Sequence, residues 1–202
     1  MKFDELNQLK RFFSTMEITD EEKKKRCDLA YDFYDAIYFV FTIIRVEKEI
    51  EEINFTRNAL IVDQYRSTLE NRITDVFKKA KIPYEDDYIP KLVDEIITTT
   101  NRHPEDMYYL SKERAVLIAQ NEANTAINYA DYVSAKENGA THKRWIAELD
   151  DKTRPAHAEA DGTVVPIDDY FYVGGDTLRF PHDFQNGSAE NLINCRCICI
   201  YE

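Results

Sequence analysis

Apolar residues recur at three- and four-residue steps through most of the first 140 positions, the spacing of one helix face. Leu29, Phe33, Ile37, Val40, Phe41 and Ile44 form one such stripe, and Ile61, Tyr65, Leu69, Ile73, Val76, Phe77 and Ala80 form a second. A third helix is predicted over Tyr88–Thr100, stopping before "NRHP" because the residue ahead of a proline disfavours helical dihedrals. The fourth starts near Ser111 and carries Ala115, Ile118, Ala119, Glu122, Ala126, Tyr129 and Val133 on one stripe, with Gly139 as its cap. The aromatic helix Asp28–Ile53 has a second stripe of Tyr31, Tyr34 and Tyr38. Apolar residues on two faces call for cover on two sides, from its own domain or from another subunit.

The period changes after residue 140. Glycine first occurs at Gly139 and then at Gly162, Gly174, Gly175 and Gly187, with Pro155, Pro166 and Pro181 among them, so the chain reverses often. "KRWIAEL" alternates as a strand that buries Trp145. "DDKTRPAH" is a turn in which Asp150 caps backbone amides, and "DGTVVP" turns into a short strand. "INCRCICIY" is the closing strand, with Cys195, Cys197 and Cys199 on one face and Arg196, Ile198 and Ile200 on the other. The fold class is α+β: a helical amino-terminal region over 1–110, then a region 111–202 made of helix 111–138 and a short-strand module, 141–202.

Charge narrows the function. With 26 Lys and Arg against 38 Asp and Glu, the net charge is −12, which opposes the counterion exchange on which DNA binding depends. The densest basic run, Glu21–Arg26, reads as a solvated helical turn. Tyrosines and phenylalanines lie mostly on the helical stripes, where they serve core packing, and the acidic charge disfavours a base-stacking surface. The amino terminus has no basic-then-apolar signal segment. The most apolar stretch, Ala36–Ile44, has nine residues, against the roughly 20 that a bilayer span needs. A reducing compartment is therefore expected, and four cysteines argue against disulfides there.

Trp145, Asp150, Arg154, His157 and Gly162, then Phe180 and Pro181, then Asn194, Cys195, Arg196 and Cys197 form an ordered set. With the helix "RAVLIAQNEANTAINYA" ahead of it, this set resembles the Mu F-like and SPP1-type minor head proteins of phages, over roughly 111–197. The resemblance implies a virion protein of head morphogenesis, made in the host cytoplasm and placed in the capsid interior or at the portal vertex. It implies binding to the portal protein, the major capsid protein or both, with assembly into oligomers left open and no enzymatic activity. Some relatives bind DNA, which the charge disfavours here. Others carry a toxin after this region, and with five residues after Cys197 none is expected.

Two readings from other classes stay in view. In the first, His157, Cys195 and Cys197, with Cys199 or His182 as a further ligand, hold zinc and staple a loop-rich module. Its structural counterpart makes the cysteines small apolar residues on an inward strand face, with no cofactor. In the second, Asp150, Arg154 and His157 converge as acid, anion clamp and base of an enzyme related to nucleotide-handling toxins. Its counterpart is a buried network. There Asp150 accepts from Arg154 or the backbone, His157 donates to a carbonyl and Asn194 pins the last strand. "VGGD" lacks the spacing of a phosphate loop. His103, His142 and His182 flank turns and are expected in solvent, and Glu122 is expected to pair with Arg154 or Arg196.

Overall fold

The computed structural model describes residues 3–50, 63–103 and 105–202. Ile53, Ile61 and Pro104 lie outside the described residues. The helices are α1 (Phe3–Ser14), α2 (Asp20–Ile50), α3 (Arg66–Ala80), α4 (Tyr88–Arg102) and α5 (Lys112–Glu137), with a 3₁₀ turn at Met107–Leu110. Then follow β1 (His142–Ile146), α6 (Pro155–Ala160), β2 (Val164–Pro166), β3 (Phe171–Val173), β4 (Asp176–Leu178), α7 (Ala189–Leu192) and β5 (Ile198–Tyr201). The fold is α+β.

Two compact units divide the chain. One takes the residues through Leu9 with Asp28–Ala119, and the other takes Lys10–Cys27 with Gln120–Glu202. The second unit reaches back to residues 10–27 because Arg26 is buried there. Its guanidinium donates to Asn124 Oδ1 at 2.8 Å and Asn128 Oδ1 at 3.0 Å. The basic run is thus solvated only through Lys25: a cation with two amide acceptors and Asp131 at 3.9 Å tolerates burial.

In the first unit the predicted stripes are the core. Leu29, Phe33, Ile37, Val40, Phe41 and Ile44 of α2 are buried, as are Leu69, Ile73, Val76 and Phe77 of α3. Phe77 meets Phe33 and Tyr88 edge-on, with centroids 5.4 and 5.5 Å apart. Ala80, the last residue of α3, is exposed. The second tyrosine stripe is partly consumed inside the unit: Tyr34 is buried and stacks on Tyr38, while Tyr31, Phe39 and Val46 stay exposed. α4 runs two residues beyond the predicted stop. Arg114 holds the following turn, donating to Thr100 Oγ1 at 2.7 Å and the Tyr109 carbonyl at 2.6 Å.

In the second unit, antiparallel strands run in the order β2-β1-β5, and β3 and β4 form a separate hairpin. Trp145 pairs with Cys199 across β1 and β5, and Lys143 pairs with Tyr201. The hairpin turns at Gly174 and Gly175, both at positive φ, so "VGGD" is a tight turn matched to strand twist. Trp145, Ala147, Ala160, Phe171, Val173, Leu178, Cys195 and Cys197 make one core cluster, and Tyr132, Ile167 and Phe180 make another. Two local expectations are corrected. "TRPAH" enters a short helix rather than ending in a turn, since Pro155 is at its first position, where no amide partner is needed. The closing strand starts at Ile198, not Ile193, because Asn194 at φ +59 breaks the extended run.

Candidate functional site

The motif residues gather around the segment 193–197, which precedes β5 and lacks a strand partner of its own. Helix α5 supplies the missing hydrogen bonds through side-chain amides at helical spacing. Asn124 Nδ2 donates to the Cys195 carbonyl (3.2 Å), and Asn128 Nδ2 donates to the carbonyls of Pro181 (3.0 Å) and Cys197 (3.2 Å). Asn121 Oδ1 accepts from the Asn194 amide at 2.7 Å, and Gln120 Nε2 donates to Asn194 Oδ1 at 2.7 Å. Asn194, expected to pin the last strand, is itself held through partners on a helix. Arg154 and Arg196, the partners expected for Glu122, bond the Ile193 carbonyl and Asp150, and the amide row docks the helix on segment 193–197.

The three residues of the catalytic reading turn to separate partners. Asp150 is paired with Arg196 by two bonds of 2.6 and 2.7 Å, where Arg154 or the backbone was expected. It also accepts from the Lys152 amide at 3.0 Å. The Arg196 bonds come first among the causes that hold the Asp150 carboxyl well below its ordinary range. Arg196 also reaches Thr15 Oγ1 at 3.0 Å. Arg154 donates to the Ile193 carbonyl at 2.6 Å. Gly162, at φ +74, closes the turn beside β1, and its amide bonds the Trp145 carbonyl at 2.9 Å.

His157 is buried. Its Nδ1 lies 3.4 Å from Cys197 Sγ and 3.6 Å from Cys195 Sγ, and its Nε2 lies 3.3 Å from Asn191 Oδ1. The carbonyl facing His157 is the side-chain amide oxygen of Asn191. The ligand atoms of His157, Cys195 and Cys197 all fall within 4.8 Å of one another. Cys197 donates to Cys195, which lowers the Cys195 pKa well below the usual thiol value and, together with burial, raises that of Cys197. Cys199 is not part of this group; burial pushes its thiol up to about 12, and it packs toward Tyr201 and Lys143.

Among the turn histidines, His103 and His142 are exposed, but His182 is buried. It adopts φ +65, and its Nε2 lies 2.7 Å from the Cys195 carbonyl. Sequence reasoning also missed Arg26, Lys143, Asn191 and the amide row. Of these only the row left a signal, Asn121, Asn124 and Asn128 at steps of three and four.

Over residues 56–200 the chain matches the family model described as Phage Mu protein F like protein, and it belongs to that family. It is 36% identical over 94 residues to the NAD(+)--arginine ADP-ribosyltransferase EFV of Enterococcus faecalis, covering 45% of this chain and 19% of that protein. The YqbB protein of Bacillus subtilis is 32% identical over 98 residues, 46% of this chain and 32% of its own length. A protein of Haemophilus influenzae is 32% identical over 98 residues, 47% of this chain and 19% of its own. The chain thus spans at most about a third of the length of these curated relatives. No solved structure matches it.

Proposed function

We propose that this chain is a non-enzymatic component of a phage head, acting in head morphogenesis by binding the portal protein, the inner face of the capsid or both. Family membership supports the head assignment. The observation that carries the non-catalytic part is the fate of the motif: Asp150, Arg154, Asn194 and Arg196 are each spent on an internal bond that holds segment 193–197. Exposed apolar side chains are available for recognition, among them Tyr31 and Phe39 of α2 and, in the other unit, Leu149 and Tyr172. No described helix is long and apolar enough to cross a membrane, and the net charge of −12 speaks against coating DNA.

Co-purification and crosslinking with the portal and major capsid proteins of the same source test the reading. A stable or crosslinkable complex with either is the expected result, and contact with neither ends it. The name of the Enterococcus relative motivates a second arm. Transfer of ADP-ribose from NAD⁺ to arginine by the purified chain would replace the structural role with an enzymatic one.

A further inference from the structure

We propose that His157, Cys195 and Cys197 are a tetrahedral zinc site, with solvent from the adjoining cleft as the fourth ligand. Zn–S bonds of about 2.3 Å and Zn–N bonds of about 2.05 Å, at tetrahedral angles, set sulfur and nitrogen about 3.5 Å apart. The observed separations from Nδ1 are 3.4 and 3.6 Å, so one nitrogen stands nearly equidistant from two sulfurs. A single hydrogen bond would draw it toward one of them.

Hydrogen bonds beyond the three ligands fix which face the imidazole presents. Asn191 Nδ2 donates to the Val173 carbonyl at 3.0 Å and to Asp176 Oδ2 at 2.8 Å. Both partners are pure acceptors, so the amide oxygen must be the atom facing His157 Nε2. That nitrogen then carries the proton, and the Nδ1 lone pair points at the two sulfurs, as in a metal-ligating histidine steadied by an outer amide. A second observation is independent of the histidine. Trp145 Nε1 is fully buried and has no hydrogen-bond partner among the described residues. The Trp145 side chain packs in one core cluster with Cys195 and Cys197. A metal-bound thiolate in that cluster is a stronger acceptor for an indole N–H than a thiol.

The charges close as well. One Zn²⁺ with two thiolates and a neutral imidazole is neutral overall, and the thiol protons that the metal displaces leave to solvent. Access is provided, because the three ligands border a cleft lined also by Glu148, Arg154, Asn194 and Arg196. His182 is not the fourth ligand: its Nε2 is bound to the Cys195 carbonyl and its Nδ1 lies 3.5 Å from Thr125 Oγ1. The site stands whether or not the chain binds portal or capsid.

The test is metal analysis of the full chain purified at neutral pH without chelator, followed by Co²⁺ titration of the stripped protein. One equivalent of zinc is expected, with visible tetrahedral Co²⁺ bands and near-ultraviolet thiolate charge transfer. Cys197→Ser and His157→Asn should lose these signals, while Cys199→Ser and Cys27→Ser keep them. Asn191→Ala should weaken Co²⁺ binding by roughly 10- to 100-fold. Stripping also needs no variant: the wild-type Tm should fall with chelator and recover with Zn²⁺ but not Mg²⁺. Less than about half an equivalent of zinc together with no Co²⁺ thiolate band, or a Cys195–Cys197 disulfide in the reduced-buffer preparation, overturns the proposal.

Discussion

Lys143 shows at the scale of one residue how a charge survives inside this protein. It is fully buried in β1, its ammonium donates to the Ile167 carbonyl at 2.8 Å, and the rings of Tyr132 and Phe171 lie 5.0 and 5.5 Å away. One hydrogen bond and two ring faces replace water incompletely, and burial lowers the Lys143 pKa to about 8. Between about 8 and the ordinary 10.5 the folded chain has released a proton that the unfolded chain still holds. Stability owed to this group is therefore lowest below pH 8 and rises as pH climbs through that window. Burial raises the pKa values of Cys199 and Tyr201, and these groups act in the opposite sense at high pH. The useful quantity is thus a difference. Urea unfolding of wild type minus Lys143→Met should be flat below about pH 7 and rise toward pH 10. A difference that does not change with pH would refute the buried-cation account.

At the scale of elements, the β3–β4 hairpin is tied to the site by one turn. A Cβ built on Gly174 would lie 2.6 Å from Asn191 Oδ1, and the residue is at φ +57, a region disfavoured for other side chains. Gly174→Ala is expected to cost roughly 1–3 kcal/mol and to displace Asn191 from His157. The measurement is the urea midpoint followed by fluorescence of Trp145, the single tryptophan of the chain. An unchanged midpoint would mean that the turn accommodates the methyl group. Helices α2 to α5 were legible in the sequence because apolar period alone sets them, and Trp145, Asn194, Cys195 and Cys197 were legible as a motif. Arg26 was not, since its burial depends on acceptors 98 and 102 positions away that no local pattern announces. His182 and Asn191 were illegible for the same reason. The stripe on α5 was read as apolar with Glu122 as its one oddity, while the face that matters for segment 193–197 is an amide row serving carbonyls that no strand could pair.

For the whole molecule, the decisive fact is that the carboxy-terminal unit needs residues 10–27. Arg26 fills the acceptors of Asn124 and Asn128, and Thr15 meets Arg196. Arg26→Met leaves two buried amide oxygens without their donor and should destabilise this unit by about 3 kcal/mol. A Trp145 unfolding curve at lower urea would report that loss, and a curve superimposed on wild type would show the arginine to be dispensable. The pairing of Thr15 with Arg196 spans 181 positions and carries a consequence for biosynthesis. At roughly 5–20 residues per second, a ribosome makes residue 15 on the order of 10–40 s before residue 196. Through that interval the early segment emerges without its final neighbours, so this unit closes only after residue 196 has left the ribosome, and until then the nascent chain is most in need of shelter.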